Sequence, residues 1–132
     1  MRGCDVTVSA RYTLRVSFDR YLEAHRRARL DDRAQAELRR DDARSWAQRA
    51  AEALASLGVR RVVLYGSLAR GTFGDRSDVD LAVEGLPEGK LFAASARANA
   101  GSPYEVSVIR AEDAPPHIRV AIETEGVELW RR

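Results

Sequence analysis

From Asp19 to Leu57 the chain contains neither glycine nor proline, whereas from Gly58 onward the two recur at short intervals. That division constrains the fold more than any other feature. Alanine, arginine, leucine and glutamate dominate the uninterrupted stretch, all of them good helix formers, and it reads as helix. Its apolar positions Leu30, Ala34, Leu38, Ala43, Trp46, Ala47, Ala50, Leu54 and Leu57 recur at helical spacing and form a narrow stripe. Nine arginines face eight acids here, and many can pair three or four residues apart. Residues 43–57 are apolar enough to pack on a sheet, while the more polar part before them reads as an arm. Asp31 and Asp32 can cap a helix restart after Leu30, dividing the stretch into a short and a long helix.

Ahead of the helix, residues 4–18 alternate strictly: Cys4, Val6, Val8, Ala10, Tyr12, Leu14, Val16 and Phe18 are apolar, with polar residues between them. Period two with β-branched and aromatic residues predicts a strand with one buried face. Such a strand would extend about 50 Å, so a bend near Ser9 to Arg11, or pairing with a partner, is expected. A flexible leader with accidental alternation is the plainer alternative.

After Gly58 the glycines and prolines mark off short elements. Arg60 to Tyr65 reads as a buried strand, and Gly66-Ser67 turns the chain into a short helical stretch over Leu68 to Arg70 that Gly71 ends. "TFGDRS" is a loop and "DVDLAV" a second strand. Pro87 opens a helix through Leu91, Phe92 and Ala98 that stops at Gly101. Residues 103–109 form a third strand. Asp113, Pro115 and Pro116 open a last helix that turns Ile118, Ala121 and Ile122 inward and ends at Gly126; a short apolar tail follows. The predicted fold is α/β (α+β), a small mixed sheet with helices on one face. Residues 1–42 would be the strand-like segment and arm, and residues 43–132 the folded domain.

Composition excludes several classes of function. A formal net charge of +2 gives no global pull toward nucleic acid or membrane, and neither partner is expected. Lys90 is the only lysine among 22 basic residues, a bias that reads as coding composition rather than phosphate binding. One cysteine, Cys4, excludes an intramolecular disulfide and suits a cytoplasmic location. His25 and His117 lie too far apart in sequence to suggest a zinc site. No leader pattern opens the chain, and no apolar run approaches membrane length.

The chemistry concentrates in "VVLYGSLARGTFGDRSDVDLAV", residues 62–83. Asp78 and Asp80, two apart on a strand, project from one face. Their mutual repulsion calls for a cation, and magnesium takes such oxygen ligands while sharing its other positions with water and substrate phosphates. Gly66 permits close backbone approach at the turn, the amides at the helix start favour an anion, and the Ser67 hydroxyl can bond a phosphate oxygen. On the third strand Glu105 alternates with the apolar Tyr104, Val106 and Val108, and can share the face of the two aspartates. Nucleotidyl transfer gains from such a third carboxylate, which helps hold a second metal and orients or deprotonates the attacking hydroxyl. An exposed strand acid without a metal role is the plainer reading of Glu105.

"GSLARG" followed by "SDVDLAV" resembles the GS-x-x-R-G…S-D-x-D-L signature of the nucleotidyltransferase superfamily that includes DNA polymerase β. The short chain and its ending "HIRVAIETEGVELW" are most similar to the minimal nucleotidyltransferases, such as the antitoxins encoded beside HEPN-domain partners. The resemblance spans roughly residues 45–130. It implies that Gly66 and Ser67 hold the triphosphate of ATP, with Ser77 beside them, and that Asp78, Asp80 and Glu105 bind two Mg²⁺ ions. Arg70 would contact the nucleotide or brace the loop through a carboxylate. Glu105 departs from the family's usual aspartate, and the extra bond length bears on metal geometry. By this likeness the chain is an enzyme, a Mg²⁺-dependent transferase moving AMP from ATP to a hydroxyl, a tyrosine by analogy, on a HEPN-type toxin. The alternatives are a non-catalytic nucleotide-binding module that neutralises its partner by contact, or a small-molecule nucleotidyltransferase acting as a homodimer. The arm offers a route to a homodimer.

Overall fold

A computed structural model describes residues 2–132, with side chains from Ser17 onward. Contacts divide the chain into two compact units, Met1–Glu37 and Leu38–Arg132. Helix α1 runs from Arg2 to Ala55 without interruption. No restart occurs at Asp31-Asp32: with no glycine or proline nearby, nothing breaks the backbone ladder that continues through them.

The strand expected over residues 4–18 is not there; their backbone is helical and belongs to α1. A strand needs a neighbour to accept its hydrogen bonds, and the four-stranded sheet includes no partner from this stretch. A helix closes its ladder on itself. The sequence pattern was also less specific than it looked, because a period-two run contains every pair spaced by four, and that spacing is helical too.

The second unit carries the sheet. After α1 come β1 (Arg61–Tyr65), α2 (Ser67–Arg70), β2 (Val79–Glu84), α3 (Leu91–Asn99), β3 (Val106–Arg110), α4 (Pro116–Glu125) and β4 (Val127–Arg131). Short 3₁₀ turns, Glu88–Lys90 and Ala111–Asp113, lead toward α3 and α4. Strand order is β3-β2-β1-β4. β1 pairs antiparallel with β2 and β4, and β2 pairs parallel with β3, so the sheet is mixed as expected. The apolar tail predicted after Gly126 is the edge strand β4.

Period two sorts the strands' side chains between two cores. Val62, Leu64, Val79, Leu81, Val83, Val106 and Val108 join Ala43, Ala47, Ala51 and Leu54 of α1 and Ala94 and Ala98 of α3 in the main core. Alanines at these α1 positions let the helix backbone lie close to the sheet. The opposite face holds a smaller cluster in which Ile122 of α4 and Ala114 pack on Val63, Tyr65 and Ala82. Helical cover is therefore not confined to one face: α1 and α3 take the larger share, and α4 closes part of the other. Gly126 makes the return from α4 to β4 possible, since a Cβ there would collide with the Ile122 carbonyl and Val63 Cγ1.

Candidate active site

The turn between β1 and α2 is built around one glycine. Gly66 has φ 80° and ψ −155°, a conformation essentially restricted to residues without a Cβ. The space is restricted as well: a Cβ on Gly66 would collide with Oδ2 of Asp80, and the carboxylate carbon lies 3.2 Å from that position. The register explains the closeness. Tyr65, just before the turn, pairs with Asp80 across the β1–β2 ladder. The glycine thus seats the turn directly against the strand aspartate.

Sheet geometry brings the expected acids to one face. β2 and β3 run parallel with Val79 opposite Val106 and Asp80 opposite Ser107, and the Val79 amide donates to the Glu105 carbonyl at 2.9 Å. Val79 and Val106 point into the main core. Alternation then sends Asp78, Asp80, Glu105 and Ser107 to the other face. Asp78 and Glu105 lie one residue outside their strands and are exposed, while Asp80 is partly buried. Among the described residues, no group of three His, Cys, Asp or Glu side chains is placed to hold a metal ion.

The electrostatics single out Asp80. Burial raises its pKa, the like charge of Asp78 raises it further, and Arg70 opposes both. An anion disfavoured by burial and by a neighbouring anion is a place where a cation is stabilising, and a Mg²⁺ ion is commonly held by one or two carboxylates completed by phosphates and water. The pair Asp78 and Asp80 fits that demand. Tyr65 is buried beside them, and its hydroxyl pKa is pushed up to about 12 by burial and by Asp80. It therefore stays neutral at physiological pH.

The remaining predicted residues have other partners in this structure. Arg70 donates from Nη1 to Glu125 Oε1 at 3.1 Å, linking α2 to the last turn of α4. Ser67 begins α2, and its carbonyl accepts from the Thr72 amide at 2.9 Å. The Ser77 hydroxyl accepts from the Gly74 amide at 3.0 Å and closes the loop ahead of Asp78. Sequence reasoning passed over Tyr65 and Glu125. Tyr65 was open to discovery, since it precedes the glycine turn on a strand antiparallel to that of Asp80. Nothing in the sequence paired Glu125 with Arg70, which is 55 positions earlier.

Two cavities, of about 470 and 400 Å³, open at the opposite end of β1 and β2, lined by Arg60, Arg61 and Glu84 among others. Their charges are largely spent on each other, for Arg61 bridges Glu84 and Glu128 at 2.9 Å each. The glycine turn and Asp80 lie at the other end of these two strands, with Gly66 buried, Asp80 partly buried and Asp78 exposed.

A mixed sheet whose first strand ends in a glycine turn seated against an aspartate of the second defines a nucleotidyltransferase-like domain. The chain belongs to the nucleotidyltransferase domain family, whose model matches residues 47–127. None of the curated proteins matches it. Solved structures share the fold. A toxin–antitoxin crystallised with AMP-PNP is 22% identical with a TM-score of 0.50, over 56% of this chain and 62% of that one. A mutant of the MntA–HpeT toxin–antitoxin pair is 19% identical, also at 0.50 and over the same shares. The complex of tri-AMPylated Shewanella oneidensis HEPN toxin with its MNT antitoxin is 15% identical, with a TM-score of 0.44, over 74% of this chain and 73% of that one. The chain thus spans less than two thirds of the length of the first two. Among the described residues no helix is long and apolar enough to cross a membrane.

Proposed function

We propose that this protein transfers AMP from ATP to a hydroxyl of a HEPN-type partner, a tyrosine by analogy, and so acts as the antitoxin of a toxin–antitoxin pair. The observation that carries the reading is the seat of Gly66 against Asp80, with Asp78 on the same face. Backbone packed that tightly leaves the turn amides beside the carboxylates, where a triphosphate and its metal would meet. Gly66 and Ser67 would hold the phosphates, and Asp78 and Asp80 the Mg²⁺, with Ser77 keeping the loop between them closed. Mg²⁺ would neutralise the phosphate oxygens and the charge that develops on them. Glu105, on the same face, would orient the acceptor hydroxyl and take its proton as the oxygen bonds to the α-phosphorus and pyrophosphate departs. Membership of the nucleotidyltransferase family supports this, as does the fold shared with a toxin–antitoxin crystallised with AMP-PNP.

The test is incubation with labelled ATP, Mg²⁺ and the HEPN-type partner. Label should pass to the partner with the wild-type protein and should be lost with Asp78→Ala plus Asp80→Ala. No transfer by the wild type, or equal transfer by the double variant, refutes the proposal. A second reading takes Glu105, which is exposed and lies just outside β3, as a surface acid: a nucleotide-binding module that neutralises its partner by contact needs no third carboxylate. Partner binding that survives the double substitution, with no ATP consumed, would select it.

A further inference from the structure

The sequence "RRDD", residues 39–42, looks like more of the solvated helix surface, yet it touches both segments that lead to the acids. The loop from Gly71 to Asp78 closes its own ends. Thr72 donates to the Ser67 carbonyl at 2.9 Å and Ser77 to that of Gly74 at 3.1 Å. Its start and its middle are held from α1. Arg40 Nη1 donates to the Gly71 carbonyl at 3.1 Å, in a partly buried contact. Arg39 pairs with Asp75. Between these points Phe73 is buried, with its ring against Tyr104 at a centroid separation of 5.7 Å and an angle of 71°. Tyr104, the residue before Glu105, donates its hydroxyl to Asp42 at 2.8 Å. One turn of α1 therefore grips the loop before Asp78 and the residue before Glu105, and Phe73 joins the two.

We propose that Arg40, assisted by Arg39, is a positioning residue for the nucleotide site: it fixes the Gly71–Asp75 segment and through it the placement of Asp78 relative to the Gly66 turn. This rests on the nucleotidyltransferase reading of that turn. Arg40 acts through the loop and touches none of the groups assigned to the phosphates or metal. A guanidinium on a partly buried carbonyl is a charge-assisted bond, stronger than a neutral one, whereas the more exposed Arg39–Asp75 pair contributes less. Arg40 should therefore matter more than Arg39.

The experiment compares wild type, Arg40→Ala, Arg40→Lys and Arg39→Ala by hydrogen exchange over residues 71–77 and by the dissociation constant for Mg²⁺-ATP. Arg40→Ala should speed exchange in that segment and weaken Mg²⁺-ATP binding, each about tenfold, the change that loss of one charge-assisted hydrogen bond permits. The melting temperature should fall by no more than about 10 °C, the shift that a tenfold loss corresponds to in a unit of this size. Arg40→Lys keeps one donor and should recover most of both effects, and Arg39→Ala should produce a smaller version of them. Where ATP is turned over, the Arg40→Ala loss should appear in KM more than in kcat. Unchanged exchange, or faster exchange with unchanged Mg²⁺-ATP affinity, overturns the positioning role, as does a lysine variant no better than alanine. A wild-type protein that binds Mg²⁺-ATP without transferring AMP refutes the proposed reaction alone, because exchange and affinity still decide the role of Arg40.

Discussion

Gly66→Ala tests the site geometry most directly, because the structure supplies a matched control. Gly66 and Gly71 flank α2 and share a φ of 80°. Their surroundings differ. Gly71 has ψ 16°, the left-handed helical region, and an added Cβ would meet nothing within 4 Å. A side chain there costs about 1–2 kcal/mol of backbone strain and little else. Gly66 has ψ −155°, and its Cβ would strike the Asp80 carboxylate. The backbone term alone is about 1–3 kcal/mol. Moving the carboxylate, which is packed beside Tyr65, brings the expected total to about 3–4 kcal/mol. For a unit the size of Leu38–Arg132, each kilocalorie lowers the melting temperature by about 4–8 °C. At the same conversion Gly66→Ala should melt about 12–32 °C below wild type, and Gly71→Ala about 4–16 °C below it. Adding Asp80→Ala to Gly66→Ala removes the struck carboxylate and should return about 1 kcal/mol in a double-mutant cycle, leaving the backbone term. Thermal melts of the four variants read all of this. Equal shifts for the two glycines, or no coupling between positions 66 and 80, would show that the turn does not rest on the aspartate, and the proposed phosphate and metal site would go with it.

The other expectations concern charge. Asp80 holds its proton to higher pH in the folded chain than in the unfolded one, where its pKa is about 3.9. The native state therefore binds more protons between those two values, and metal-free stability should fall as pH rises through the folded pKa and then level off. Asp80→Asn should remove that fall and raise the melting temperature of the metal-free protein at neutral pH, read by melts at pH 4 to 8. The same variant should lose the gain in melting temperature that millimolar Mg²⁺-ATP gives the wild type; a gain of equal size in both would argue against a metal at Asp80. Glu105→Gln should keep that gain yet lower AMP transfer at least 100-fold, as removal of a general base does, and normal transfer would relieve Glu105 of its role.

The elements that were legible in the sequence are those whose cause is local. Gly66, Gly71 and Pro116 each impose a backbone conformation at their own position, so the turn, the short α2 and the start of α4 sit where they were expected. Alternation in "VDLAV" placed Asp80 opposite the core for the same reason. The third strand begins at Val106 rather than Pro103, because Ser102 and Tyr104 bond each other locally and the ladder is taken up only at the Val79 amide. The partners of Arg70 and Arg40 were not legible. In a chain with 22 basic and 20 acidic residues, most arginines have a carboxylate within helical reach, and only the fold decides which is met.

The same contrast explains the misread N-terminus and the unexpected weight of residues 39–42. Strand and helix readings of residues 4–18 differ in what they require from the rest of the molecule: a strand must find a sheet edge, while a helix completes itself. Every strand of the sheet draws its partner from the chain after Gly58, so the run lies where its own backbone can satisfy it. Polar residues in a helix are equally ambiguous. Arg33 and Arg40 look alike in sequence, each next to a pair of aspartates. Yet Arg33 is exposed, and Arg40 is half-buried on the loop that sets Asp78. What distinguishes them is the arrival of Gly71 some thirty residues later, a contact made by the path of the sheet rather than by any pattern in the helix. If Arg40→Ala loosens that loop and weakens nucleotide binding, the catalytic unit begins inside what reads as an arm, at Leu38.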